Sequence, residues 1–195
     1  ATAGSIEGIT ASLIAIINEK KDEVILFSPS YASYAEAVKV AGGKPVFAPL
    51  IEDGGWRIDF ENLTKKITRR TAAIIVCNPN NPTGMFFGRD DLLKIAEIAC
   101  KKKIFVICDE VYKDLIYVRK NYLIQGPKVL TINSFSKTYA LCGLRVGYLY
   151  SKNKKIIDAV IEMKTHTSMN TSIIGQAMAF EATQVPRDII KNQVK

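Results

Sequence analysis

A three-layer α/β/α fold around a mainly parallel sheet is what this sequence predicts, and three observations carry that expectation. Short apolar, β-branched runs alternate with helix-period segments along the whole chain. The runs at 72–77 (Ala-Ala-Ile-Ile-Val-Cys) and 104–108 (Ile-Phe-Val-Ile-Cys) are apolar at every position, as strands covered on both faces are. Several runs end in polar, turn-forming residues, and ligands of open α/β sheets sit beyond such C-terminal strand ends. At 195 residues the chain holds one domain, or one and part of a second.

Taken in order, apolar residues at 6, 9, 13, 16 and 17 predict an amphipathic helix over 5–19, opened by Gly4-Ser5. A buried strand follows at 24–27, closed by Ser28-Pro29. A helix at 34–40 stops at Gly42-Gly43, and the next strand is 45–48. Phe60, Leu63 and Ile67 mark a short helix behind Asp59 as its N-cap, with Trp56 read as a loop anchor. The strand at 72–77 runs into Asn78-Pro79-Asn80-Asn81-Pro82-Thr83-Gly84, which excludes helix and central strand. Helix 90–102 has acids in its first turn and lysines in its last, and strand 104–108 follows. Strands at 129–133 and 146–150, helices at 156–164 and 173–181, and a helix start at Pro186 complete the reading.

Composition narrows the chemistry. There are 27 Lys+Arg against 19 Asp+Glu, a net charge of +8. The basic residues are spread out, mostly at expected helix ends where the macrodipole favours them, and are not interleaved with aromatics. That pattern predicts no nucleic-acid partner. The longest apolar run has six residues, far short of the ~18 a membrane-spanning helix needs, so no membrane association is expected. Four cysteines without a C-x-x-C pair read as free thiols of a reducing, cytoplasmic setting, with Cys108 and Cys142 as inert packing residues. A single histidine, His166, read as a polar loop residue, removes most zinc sites and Ser–His arrangements. No metal is expected. Catalysis, if present, must rest on Lys, Asp, Tyr, Ser or a cofactor.

Three strand ends carry such residues: 78–84, Asp109-Glu110-Val111-Tyr112 and Ser134-Phe135-Ser136-Lys137. Lysine amines form Schiff bases with carbonyl compounds. Hydroxyls and a guanidinium such as Arg145 suit a phosphate, and the expected helix start at Gly4-Ser5-Ile6 adds free N–H groups and a positive end. Asp109 at a strand end can hold a protonated ring nitrogen. Together these describe a pocket for an aldehyde bearing a phosphate and a basic nitrogen. Taken singly, Tyr31 reads as core and Ser5 as an N-cap, while Asp109 fits a helix cap as well as a site acid and Arg145 a surface ion pair as well as an anion ligand.

On these residues the sequence resembles the class I aminotransferases of the fold-type-I group dependent on pyridoxal 5'-phosphate. Residues 134–147 (Ser-Phe-Ser-Lys-Thr-Tyr-Ala-Leu-Cys-Gly-Leu-Arg-Val-Gly) fit that family's lysine-attachment signature. Asn80–Gly84 fits its Asn-Pro-Thr-Gly loop, 109–112 its Asp-Glu-x-Tyr strand end, and Gly4-Ser5 its opening. The resemblance implies that Lys137 forms the Schiff base and shuttles the proton, and that Asp109 pairs with the pyridinium nitrogen. It implies that Asn81 and Tyr112 bond the ring's phenolic oxygen and that Tyr31 stacks on the ring. Ser5, the Ile6 amide, Ser134, Ser136 and Arg145 would hold the phosphate, beside Gly4.

The implied activity moves an amino group between an amino acid and a 2-oxo acid. The alternatives are another reaction of that scaffold, β-elimination or synthase chemistry, or a non-catalytic scaffold domain. A nucleotide-binding domain is disfavoured, for the sequence has neither G-x-G-x-x-G after a strand nor G-x-x-x-x-G-K-[ST]. The resemblance also implies a homodimer, with 165–172 near the subunit seam. Residues 1–185 would be an N-terminally incomplete cofactor-binding large domain. Residues 186–195 would begin the helix to a C-terminal domain that carries the substrate-carboxylate site.

Overall fold

The computed structural model describes residues 1–116 and 122–192. Among these, seven strands form one sheet in the order β3-β2-β1-β4-β5-β6-β7. They are β1 (Glu23–Ser28), β2 (Lys44–Glu52), β3 (Trp56–Ile58), β4 (Thr71–Cys77), β5 (Phe105–Asp109), β6 (Val129–Ser134) and β7 (Gly147–Ser151). The five central strands run parallel, while β3 and β7 close the two edges antiparallel. The expected class is the observed one.

Strand alternation explains why both faces are covered. Ile25, Phe27, Ile74, Val76, Val106 and Cys108 point to one side, where Leu63 of α3 (Phe60–Lys66) and Leu92, Ile95 and Ala99 of α4 (Arg89–Lys102) meet them. Val24, Leu26, Ala73, Ile75, Ile107, Leu130 and Ile132 point to the other. There they pack on Ile9 and Leu13 of α1 (Gly4–Ile16) and on Tyr34 and Val38 of α2 (Ser33–Val40). Each large aliphatic side chain buried this way contributes roughly 1.5–3 kcal/mol. The chain then passes through the one-turn helix α5 (Phe135–Thr138), a 3-10 turn at Cys142–Leu144, α6 (Lys154–Thr165), α7 (Ile173–Thr183) and α8 (Arg187–Asn192). No helix among the described residues is long and apolar enough to cross a membrane.

Several boundaries differ from expectation, each for a local reason. Helix α1 stops at Ile16 because Asn18 Oδ1 accepts the N–H groups of Lys20 and Lys21, a side-chain turn that competes with the helix. Strand β2 runs on through Pro49 to Glu52. Pro45 and Pro49 share parity, so their missing donors lie on one side of the strand and the other keeps its ladder to β1. Trp56 is a strand residue: Asp53-Gly54-Gly55 turns β2 back into the β3 hairpin, with φ of 62° and 154° at the two glycines. Basic residues lie in the last turns of α2, α3, α4 and α6 as expected, and Lys154 at the other end of α6 pairs with Asp158. Asp59 caps α3 as expected, accepting Asn62 N–H at 2.9 Å. His166 lies exposed in the turn after α6, as expected.

Candidate functional site

Parallel pairing brings the three polar strand ends together. Cys77 is in register with Asp109, and Asp109 with Ile132, so the ends of β4, β5 and β6 lie side by side. Beyond them is a cavity of about 320 Å³. Its wall comprises Ser5, Ile6, Tyr31, Tyr34, Asn81, Asp109, Val111, Tyr112, Ser134, Ser136, Lys137, Cys142 and Arg145. Every residue that the sequence singled out for the cofactor lines this cavity except Gly4, which touches Arg145 from behind.

Asp109 is the buried charge of the site, 3% exposed. Tyr34 donates its hydroxyl to Asp109 Oδ2 at 2.8 Å, and the Val111 N–H donates to Oδ1 at 3.2 Å. Burial pushes the Asp109 carboxyl up to about 6, with those two bonds pulling the other way. Tyr34 is itself buried, and its hydroxyl is held well above the usual phenol range by burial and then by the Asp109 charge. Cys77 beside them is pushed up to about 12 by burial and Asp109, so it stays a thiol. Among the described residues no cationic side chain pairs with Asp109.

The loop after β4 divides its asparagines between structure and site. Asn78 bonds both backbone groups of Phe87, and Asn80 bonds Pro29 O and Thr83 Oγ1, which fastens the loop. Asn81 is left for the cavity, where its Nδ2 lies 3.4 Å from the Tyr112 hydroxyl. Tyr112 in turn has the Lys137 ammonium 5.9 Å from its ring centre. Tyr31 is exposed, packed edge-on against Tyr34 with centroids 5.5 Å apart. It is a wall of the cavity and not core.

Lys137 rides on α5, whose N-cap is Ser134: its hydroxyl oxygen accepts Ser136 N–H at 3.3 Å. The phosphate-type donors gather on the neighbouring wall. Ser5 is the second residue of α1 and not its cap, because Ala3 occupies that position. Arg145 is left-handed (φ 51°), a conformation costing a non-glycine residue roughly 1–2 kcal/mol. That backbone aims its guanidinium back at Cys142 O (2.9 Å) and Ala3 O (3.4 Å). Gly4 has φ 77°, and a methyl group there would collide with the guanidinium. The positive φ favours glycine, and a side chain there would also have to displace the guanidinium from its place in the cavity wall.

Lys137 and Arg145 are exposed and form no ion pair among the described residues. A cavity with two unpaired cations, a helix start and a buried acid lacking a cation is complementary to one ligand class. That ligand bears an anion at one position and a basic nitrogen at another.

The sequence matches the family described as "Aminotransferase class I and II" over residues 1–195. The chain belongs to that family. It is 34% identical over 94% of its length to aspartate aminotransferase of Bacillus sp. (strain YM-2), and covers 48% of that relative. It is 38% identical over 76% of its length to aromatic-amino-acid aminotransferase 2 of Thermococcus litoralis, covering 39% of it. The fold superimposes on the crystal structure of aspartate aminotransferase from Thermotoga maritima with a TM-score of 0.91 at 29% identity, over 97% of this chain and 52% of that one. This class I and II aminotransferase chain thus spans about half the length of the curated relatives it matches.

Within this aminotransferase fold, sequence reasoning missed Tyr34 and Val111. Tyr34 looked like an ordinary helix-start residue, and only the fold, which brings the start of α2 within reach of the end of β5, reveals its bond to Asp109. Of the two thiols read as packing residues, Cys108 is buried as expected and Cys142 is not. Cys77 and Cys108 are buried, but Cys100 and Cys142 are exposed, and Cys142 lines the cavity with Sγ donating to Ser136 O at 2.9 Å.

Proposed function

We propose that this cavity holds pyridoxal 5'-phosphate and that the protein moves an amino group between an amino acid and a 2-oxo acid. The observation that carries the reading is that one cavity is lined by the buried Asp109 and by Lys137 and Arg145, none of which has an ion-pair partner among the described residues. When bound, the cofactor supplies an aldehyde that joins amines covalently and a pyridine ring that draws electron density from bonds at the substrate α-carbon.

The protein's own groups divide the remaining work. Arg145 Nη atoms, the Ser5, Ser134 and Ser136 hydroxyls and the Ile6 N–H bind the phosphate, with Gly4 making room for the guanidinium. Asp109 holds a proton on the ring nitrogen, and a cation placed there draws its pKa back down because opposite charges stabilise each other where the dielectric is low. Asn81 and Tyr112 orient the ring through its phenolic oxygen, and Tyr31 covers its face. Lys137 is the covalent anchor, and once released its Nζ moves the proton at the substrate α-carbon, acting as base and then acid.

Residues 1–185 are the unit this reading assigns to the cofactor, and 186–195 the start of a helix to a further domain. The same proposal includes a homodimer in the cytoplasm. It is supported by the exposed apolar side chains Ile173, Ile174 and Phe180 on α7, near the 165–172 segment, and by four free cysteines. Amino acids and 2-oxo acids as the substrate class are supported by the aspartate and aromatic-amino-acid aminotransferase names of the relatives.

A spectral titration tests the proposal. Adding pyridoxal phosphate should produce a protein-bound visible band distinct from the free cofactor, discharged by an amino-acid donor and restored by a 2-oxo acid. A spectrum identical to that of the free cofactor would contradict it.

A further inference from the structure

The first turn of α1, which presents Ser5 and Ile6 to the cavity, carries a carboxylate of its own. Glu7 Oε2 accepts the Ala3 N–H at 2.6 Å. The same oxygen accepts a bond from Lys164 Nζ, also at 2.6 Å, from a residue 157 positions later at the end of α6. Lys164 is only 8% exposed and donates a second bond to Ser168 Oγ at 2.8 Å. Burial pushes the Glu7 carboxyl up, but the bonds from Lys164, Ser168 and Ala3 hold it below the usual carboxylate range. Glu7 is therefore ionised at neutral pH.

An ionised acid at this position has two opposing effects. It fixes Ala3, whose carbonyl accepts from Arg145 Nη2, and so fixes the turn that shapes the anion wall. It also places a negative charge one residue from Ile6, where a phosphate would be bound. A unit charge on the order of 10 Å from an anion changes its affinity by about tenfold at the effective dielectric near a protein surface.

We infer that Lys164 is a positioning residue for phosphate binding: it neutralises Glu7 while leaving it in place. The α1 N-terminus and Arg145 then present undiminished positive charge to the cavity. This inference rests on the reading of the cavity as a phosphate site. Its logic separates it from a purely mechanical bridge between α1 and α6. A bridge lost with Lys164 stays lost when Glu7 is changed as well, whereas a neutralising charge is no longer needed once residue 7 carries none.

The test measures dissociation constants for inorganic phosphate and for pyridoxal phosphate in wild type, Lys164→Met, Glu7→Gln, the double variant and Lys164→Arg, with circular dichroism confirming the fold. Lys164→Met should weaken phosphate binding about tenfold and Lys164→Arg should restore it. Glu7→Gln should bind at least as tightly as wild type, because the amide oxygen still accepts from Ala3. The double variant should return to within about threefold of wild type. Equal weakening by Lys164→Met and Glu7→Gln, with no recovery in the double variant, would overturn the inference. If Lys164→Met does not fold, Glu7→Gln decides alone, and weaker binding by it is the overturning result. A wild-type protein that binds neither probe would instead overturn the cofactor reading, and this inference with it.

Discussion

At the C-terminal ends of β4, β5 and β6 the polar side chains are inside the protein: Asn78, Asp109 and Ser134 are 5%, 3% and 5% exposed. At the N-terminal ends of the same strands Thr71 is buried, its hydroxyl oxygen accepting Thr68 N–H at 2.9 Å, and the charged residues are lysines that keep their charge near water. Lys21 donates to Thr71 O at 3.3 Å, Lys128 lies 4.3 Å from the Phe105 ring centre, and Lys103 ends α4 in a left-handed conformation. The Lys128 ammonium is held below its ordinary range by burial and by the neighbouring Lys21 and Lys103 charges. Burying a polar group costs free energy unless it is partnered, and burying a charge costs more. Among the described residues the buried carboxylates of these three strands, Asp109 and Glu110, both stand at the C-terminal end, where Asp109 lines the cavity. The comparison separates a surface held by solvation from a site held against it.

The largest effect expected from that contrast is chemical. Lys137→Ala should lower amino transfer by on the order of 10⁴-fold, since it removes both anchor and proton carrier. It should leave the urea midpoint near wild type, because Lys137 is exposed; steady-state rates and denaturation curves on the same preparation check both halves. Inside the sheet the expectation inverts. Leu130 is fully buried in β6, and Leu130→Ala should cost about 2–5 kcal/mol in chemical denaturation while cofactor affinity of the folded fraction holds. A Leu130→Ala protein of wild-type stability would break the comparison from the structural side.

The buried acid gives a pH signature. Asp109 is raised from the ordinary aspartate value to about 6 without cofactor, so the native state binds its proton more tightly than the unfolded chain does. Its contribution to stability is then greatest below about pH 4 and is lost as pH rises through 6. Asp109→Asn should remove this fall, on the order of 3 kcal/mol, from the stability–pH curve of the cofactor-free protein. Equilibrium unfolding between pH 4 and 7 measures it, and a curve of unchanged slope would reassign the titrating group. The smallest expected effect lies away from the site. Asp59→Ala removes the α3 N-cap and should cost about 1 kcal/mol in thermal unfolding, with cofactor affinity unchanged.

The same contrast governs what could be seen in the sequence. Strands such as 72–77 were legible because two-sided burial demands unbroken apolar residues, and the strand ends because polar residues interrupt those runs so abruptly. Lys137, Asp109, Asn81 and Arg145 were legible through the pattern around them, and the structure gathers them in one cavity. What escaped depends on contacts between distant elements or on very short ones. Helix α5 has only four residues, too few for periodicity, though its Ser134 cap is a readable signal. Strand β3 has three, too few for alternation to show, and its one readable sign is the Asp53-Gly54-Gly55 turn before it. Tyr34 bonds an aspartate 75 positions away and Lys164 a glutamate 157 away, and no local pattern encodes either.

The most direct test of the central claim is borohydride reduction of the protein mixed with pyridoxal phosphate, followed by proteolysis and mass mapping of the phosphopyridoxyl group. The chain offers other exposed lysines, Lys101, Lys102 and Lys103 among them, so the position of the label is informative. The geometry at the C-terminal strand ends predicts a single stoichiometric label on Lys137, suppressed by excess inorganic phosphate. A label distributed over the surface lysines, with Lys137 unmodified, would contradict it.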